Sequence, residues 1–178
     1  MGSASEKRNV LLGVTGSVAA YKAAELARLL VSRGFEVRVV MSDAAQKFIA
    51  PLTFEALTGR PVYTDFWRES ESQEIKHIEL AAWADVFVVA PATADIIAKL
   101  ACGRADSPLA AMALACRAPL LVAPAMNCNM YEHAAVQANL ETLRRRGARI
   151  IDPEEGLLAC GWKGTGRLAD PWEIFYEI

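Results

Sequence analysis

The strongest constraint on this chain is a rhythm. Short, almost wholly apolar runs rich in β-branched residues alternate with alanine- and leucine-rich stretches at helical spacing. Asn9–Val14 (NVLLGV) reads as a buried strand that ends in Thr-Gly-Ser. From Val18 to Ser32, Ala20, Ala23, Ala24, Ala27 and Leu30 fall on one helical face, and Gly34 supplies the stop. Glu36–Met41 (EVRVVM) alternates as a second strand. A strand–helix–strand unit of this length implies parallel pairing through a right-handed crossover. The pattern then repeats. The spacing predicts a helix over Asp43–Thr58, broken near Pro51, a strand over Asp85–Ala90, and helices over Ala94–Cys102 and Pro108–Cys116. A strand over Pro119–Ala123, a helix over Tyr131–Arg146 stopped by Gly147, and a last strand over Ala148–Ile151 complete it. Continuous apolar strands are what a parallel sheet covered on both faces requires. The expected fold class is therefore α/β, a doubly wound parallel sheet in one domain spanning residues 9–178.

Composition narrows the function classes. With 178 residues, 53% of them hydrophobic and 22% charged, the chain buries a core without staples and is neither disordered nor a disulfide scaffold. No run of 18 apolar residues occurs, so no membrane span is expected. A net charge of -2 argues against nucleic acid held by bulk charge. Met1–Arg8 is small and polar, reads as a solvated tail or tag, and lacks the apolar region of a signal peptide. Cys102, Cys116, Cys128 and Cys160 show no zinc spacing, so no metal is expected, and free thiols fit a reducing cytoplasm. Cys102, Cys116 and Cys128 read as small apolar packers, and Arg144–Arg146 as a solvated helix end. The polar segment Thr64–Lys76 is the expected excursion from the sheet.

In an open α/β sheet, ligands sit beyond the carboxyl ends of the strands, and every unusual stretch of this chain falls there. At Gly13–Ala19, Gly16 permits a tight turn and Ser17 offers a hydroxyl and an amide at a helix start. Such an end suits a phosphate, although an ordinary capped turn has the same composition. The dinucleotide and P-loop glycine signatures are absent, which favours a mononucleotide phosphate. Ser42 ends the second strand, where it caps the next helix or reaches a phosphate. Thr93 and Ala94 open a helix and add donors at the same edge. Pro124–Met130 interrupts a strong strand, and Asn127 offers a donor and an acceptor suited to a carboxylate or amide. Gly156–Gly166 carries four glycines and reads as a flexible surface loop. Cys160 within it is either incidental or a thiol that closes over substrate and delivers a proton. His77 and His133 are the two candidates for an imidazole acid or base, with a capping role the simpler reading of His133.

Five stretches in this order, GVTGSVAAYKA, HIELAAWAD, APATADIIAKLACGRAD, APAMNCNM and LLACGWKGTGRL, resemble the homo-oligomeric flavin-containing cysteine decarboxylases. The likeness runs from Val10 to about Trp172. It implies a Rossmann-like flavoprotein with FMN as cofactor, contacted by Gly16, Ser17, Val18, Ala19, Ser42, Thr93, Ala94, Asp95, Ile96 and Ala125. Where many relatives read Ser-Ala-Asn-Thr, this chain reads Thr93-Ala-Asp-Ile96. It further implies His77 as the active-site histidine, Cys160 as the proton-donating flap cysteine, Asn127 and Met130 as substrate contacts, and Lys22 near the substrate phosphate. Many relatives carry a basic residue where Ala82 stands.

The activity implied is decarboxylation of 4'-phosphopantothenoylcysteine to 4'-phosphopantetheine in coenzyme A biosynthesis. The thiol is oxidised to a thioaldehyde, CO2 leaves to give an enethiolate, and reduced FMN returns the electrons. Alternatives on the same scaffold are oxidative decarboxylation of a C-terminal peptidyl cysteine and a non-enzymatic regulatory protein. The resemblance also implies trimers or dodecamers with the site between subunits, and a possible fused synthetase domain. Phe66 and Trp67 are candidates for the subunit contact.

Overall fold

A computed structural model describes residues 8–66 and 76–178, with the backbone alone at Lys76. The elements run in chain order as β1 Asn9–Val14, α1 Ala20–Ser32, β2 Glu36–Met41, a 3₁₀ turn at Ala45–Lys47, α2 Pro51–Thr58, α3 Lys76–Trp83, β3 Val86–Ala92 and α4 Ala94–Cys102. They continue as α5 Pro108–Ala115, β4 Leu120–Pro124, α6 Cys128–Glu132, α7 Ala134–Arg145, β5 Arg149–Ile150, β6 Glu154–Leu157, β7 Lys163–Arg167 and α8 Pro171–Glu177.

Five strands form a parallel sheet in the order β2-β1-β3-β4-β5. This is a doubly wound sheet, with its switch point between β1 and β3. Two apolar layers cover it. On one face Ala20, Ala23, Leu26, Ala27 and Leu30 of α1 pack with Phe54 of α2 against Val10, Leu12 and Val88. The small alanines let α1 lie close to the strands. On the other face Ile97, Leu109, Met112 and Leu140 pack against Leu11, Phe87, Val89 and Val122. The adjacent β1 residues Leu11 and Leu12 thus serve opposite layers, the period-two geometry of a central strand.

Three sequence expectations are corrected. The expected helix over Asp43–Thr58 is a 3₁₀ turn followed by α2, because Pro51 takes the first helical position and Ala50 before it is extended. The expected helix over Tyr131–Arg146 is two helices broken at His133 (φ -59, ψ 132). The Nδ1 of that histidine accepts from the Ala135 amide at 3.2 Å, so His133 is the cap of α7. The Gly156–Gly166 stretch is an antiparallel hairpin of β6 and β7, not a loose loop. Gly164 and Gly166 serve close approach, whereas Gly161 takes a positive φ of 82 at the turn. A Cβ at Gly164 would stand 2.8 Å from the Cys128 Cβ, and one at Gly166 would collide with the Met126 carbonyl oxygen.

Two simpler residue readings also change. Cys102 is exposed rather than packed, and Arg146 is tied down by a 2.6 Å donation to the Ala101 carbonyl. Residues 67–75 of the Thr64–Lys76 segment, Trp67 included, and residues 1–7 of Met1–Arg8 lie outside the described residues. None of the described helices is long and apolar enough to cross a membrane.

Phe54 is fully buried and joins α2 to the α1 layer. Phe54→Ala is expected to lower the unfolding free energy by about 3–5 kcal/mol, read from the shift of a urea midpoint.

Candidate functional site

Parallel strands place all their carboxyl ends at one edge, and two cavities open there around the β1 turn. The first, of ≈ 360 Å³, is lined by Ser17, Val18, Ala19 and Lys22 from the start of α1, by Ala125 and Asn127 after β4, and by Cys160 of the hairpin turn. The second, of ≈ 690 Å³, is lined by Gly16, Ser42, the Thr93–Ile96 run at the start of α4, and Met130. The structure thus brings most of the expected site residues to one edge but divides them between two adjoining spaces. His77 lines neither. Its ring meets Phe66 edge-on at 5.4 Å between centroids, and Phe66 lines the second cavity. Phe66, expected at a subunit contact, here also packs within the chain.

The second cavity is rich in unclaimed donors. Thr93 caps α4 by accepting from the Ile96 amide at 3.5 Å. Among the described residues nothing accepts from the Ala94 and Asp95 amides, the orphan donors of a helix start. Ser42 Oγ accepts from the Ala45 amide at 3.2 Å, so it does cap the 3₁₀ turn, and its hydroxyl proton remains free to donate. Gly16 allows the turn to press on Ala44; an added Cβ would stand 2.5 Å from that residue's Cβ. Asp43, Asp65, Asp95 and Asp106 also line this space. Lys99 answers two of them, at 3.1 Å from Asp95 and 3.4 Å from Asp106, and Arg104 meets Asp106 at 2.8 Å. Burial works against the Lys99 charge, but the two carboxylates outweigh it and hold its ammonium above the ordinary lysine range. Sequence reasoning missed Lys99, although its i,i+4 spacing from Asp95 was the available signal.

In the first cavity Asn127 does two things at once. Its Oδ1 accepts from the Asn129 amide at 2.9 Å, capping α6, which fixes the side chain. Its Nδ2 then donates to Cys160 Sγ at 3.2 Å. Cys160 is exposed, and the Trp162 amide, then the Asn127 side chain, hold its thiol below the ordinary range. Lys22 Nζ donates to the Leu168 carbonyl at 3.0 Å, and Arg167 is a second cation on the cavity wall that sequence reasoning did not single out. The root of the hairpin is clamped by the Met126 amide donating to the Gly166 carbonyl at 3.0 Å. Its tip carries exposed Leu157 and Trp162. A fixed root and an exposed tip present Cys160 over the cavity. Ala82 is an exposed residue of α3.

A sequence model of the Flavoprotein family matches residues 2–178. The chain belongs to that family. This flavoprotein-family chain is 50% identical over 167 residues to the coenzyme A biosynthesis bifunctional protein CoaBC of Bacillus subtilis, covering 94% of this chain and 41% of that one. It is 47% identical over 167 residues to CoaBC of Escherichia coli K12, with the same coverage of 94% and 41%. The chain therefore spans about two fifths of the length of the curated relatives it matches. Among solved structures, it superposes on a cysteine-to-serine mutant of PPC decarboxylase complexed with pantothenoylaminoethenethiol, with a TM-score of 0.86 and 33% identity over 97% of this chain and 96% of that one. It also superposes on the FMN-dependent cysteine decarboxylase SpaF, with a TM-score of 0.84 and 37% identity over 97% and 94%.

Amide donors stabilise a thiolate, so the protonated form of Cys160 is lost at lower pH than for an ordinary thiol. Asn127→Ala removes one donor. The midpoint of Cys160 alkylation against pH is expected below that of a free cysteine and to move upward in Asn127→Ala. An unmoved midpoint would contradict the role given to Asn127.

Proposed function

We propose that this chain is an FMN-dependent decarboxylase that converts 4'-phosphopantothenoylcysteine to 4'-phosphopantetheine in the cytoplasm. The observation that carries the reading is the 3.2 Å contact between Asn127 and Cys160 at a cavity that shares the β1 turn with an amide-rich edge. Kinship with CoaBC proteins and with PPC decarboxylase supports the substrate.

The residues present fit a flavin mononucleotide. A phosphate needs several donors and little opposing charge. The free amides of Ala94 and Asp95 and the spare hydroxyl proton of Ser42 supply donors, and Lys99 offsets the carboxylates of Asp95 and Asp106. Ser17, whose Oγ accepts from the Ala19 amide at 3.2 Å, keeps a proton to donate as well. Ala125, buried and backed by a 3.0 Å bond from its amide to the Ala92 carbonyl, offers a flat, small surface for a ring. When bound, the flavin supplies two-electron redox chemistry beside the substrate thiol.

The chain's own groups would then divide the remaining work. The second Nδ2 proton of Asn127 is available to a substrate carboxylate while the first holds Cys160. Cys160 Sγ carries the proton delivered to carbon when the unsaturated intermediate is reduced. The hairpin tip covers the reacting thiol and limits access of water. Lys22 and Arg167 are the cations in reach of a substrate phosphate in the first cavity, a task that Ala82 does not perform. The His77 imidazole orients substrate and assists proton movement.

A second reading, oxidative decarboxylation of a C-terminal peptidyl cysteine, is favoured by the likeness to SpaF at 37% identity. In that chemistry the reaction stops at the enethiol, so a proton-donating flap cysteine is not needed. Phosphopantothenoylcysteine and a peptide ending in cysteine, each incubated with the yellow protein and followed by CO2 release and product mass, separate the two. We expect turnover of the first alone. Cys160→Ser is expected to release CO2 and stall two mass units below 4'-phosphopantetheine. His77→Asn is expected to lose CO2 release while retaining flavin. Normal product from Cys160→Ser would defeat the assignment.

The separation of His77 from the Cys160 cavity within one chain supports a site completed between copies, in a homotrimer or a dodecamer of trimers. Light scattering of the purified chain is expected to give a mass that is a multiple of three protomers, and a monomer would contradict it. The length of the curated relatives supports a fused synthetase domain as a further partner.

A further inference from the structure

Thr15 follows β1 at the Gly13–Ala19 turn, where sequence reasoning assigned it no role, and its hydroxyl both donates and accepts within the chain. It is 2% exposed. Its Oγ1 donates to the Pro91 carbonyl at 2.6 Å and accepts from the Thr93 amide at 3.1 Å. Both bonds cross 76 or more residues of sequence, from the end of β1 to the end of β3. They span the switch point of the sheet, where the two strands diverge into helices on opposite faces.

Two consequences follow from this geometry. The hydroxyl takes up the Thr93 amide and leaves the Ala94 and Asp95 amides as the pair without an acceptor among the described residues. It also fixes the start of α4 relative to the β1 turn. That turn is itself braced by the Ser17 amide donating to the Thr15 carbonyl at 2.9 Å. One residue therefore registers two sets of donors, Thr15 to Ser17 through its backbone and Thr93 to Asp95 through its side chain. A valine would fill the same volume with no hydroxyl, taking this partner from the part-buried Thr93 amide and the buried Pro91 carbonyl.

We propose that the Thr15 hydroxyl is a positioning group for the anion end of the cofactor site: it sets the spacing between the β1 turn and the α4 amides that receive the phosphate. This rests on the FMN reading above. Thr15 touches no ligand in this account; it acts through the amides it aligns. The prediction is therefore selective. Loss of the hydroxyl weakens binding of the phosphorylated flavin and spares the ring.

The test uses the full chain stripped of flavin, as wild type, Thr15→Val, Thr15→Ala and Thr15→Ser. Each is titrated with FMN and with riboflavin by quenching of flavin fluorescence, and melted without ligand. In Thr15→Val the Kd for FMN is expected to rise about tenfold or more, while that for riboflavin changes less than about twofold. Thr15→Ser, which keeps the hydroxyl, is expected within about threefold of wild type for both ligands. Equal FMN affinity in wild type and Thr15→Val would overturn the proposal. So would a parallel loss of FMN and riboflavin, which marks a general structural role. Thr15→Ala decides the same ratio if the valine variant does not fold; if neither folds while Thr15→Ser does, the hydroxyl serves the whole fold and the proposal fails. A wild type that takes up no FMN would instead overturn the cofactor reading, a result distinct from all of these.

Discussion

The structure depends on β1 lying between β2 and β3, in parallel register with both. Parallel strands require crossovers, and a change in strand order sends successive helices to opposite faces. At that point no helix covers the strand ends, and the β1 turn and the start of α4 meet across an open crevice. Thr15 is the polar tie across it. A sheet of this kind is apolar on both faces, so the edge where its strands stop is where unpaired main-chain donors reach solvent. The candidate site is thus a product of topology before any side chain is chosen.

The exposed thiol of Cys160 is presented by a second unit. The β6–β7 hairpin pairs only with itself among the described strands. It is attached to the sheet edge through glycine contacts with Met126 and Cys128 and through the Met126–Gly166 bond. Side chains at Gly164 and Gly166 would lift it away. Close docking at the root places Cys160 within reach of Asn127, and Asn127 is itself locked by capping α6. A short helix cap, a glycine contact and a thiol environment are therefore one mechanical unit.

Much of this was legible in the sequence because strands covered on both faces leave an unmistakable apolar signature. β1, β2, β3 and β4 fall within a residue or two of expectation. Helix α4 matches at both ends, since Thr93 caps its start and Gly103 (φ 69) its stop. What was not legible turns on long-range contact. The break at His133 leaves the helical periodicity of Tyr131–Arg146 intact, so only the cap geometry reveals it. Gly164 and Gly166 suggest freedom in the sequence and serve proximity in the structure, because the atoms they approach lie more than 30 residues away. The candidate site residues were found by motif, but their division between two cavities was not, and Thr15 was hidden by its ordinary place next to Gly16.

The charges of the two cavities differ in sign, and this constrains what each can hold. The first presents Lys22 and Arg167 with no carboxylate on its wall. The second presents four aspartates against Lys99. An anion entering the second space meets like charge from side chains, so main-chain amides and hydroxyls must supply its binding energy, aided by Lys99 acting on Asp95 and Asp106. Amides do not titrate, and their direction is fixed by the fold. Recognition there consequently depends on the exact spacing of two backbone turns. In the first cavity the cations are long side chains that are themselves anchored, Lys22 on the Leu168 carbonyl at 3.0 Å and Arg167 on Glu154 at 3.5 Å. The two spaces therefore differ in kind: main-chain donors serve an anion in one, and side-chain cations line the other.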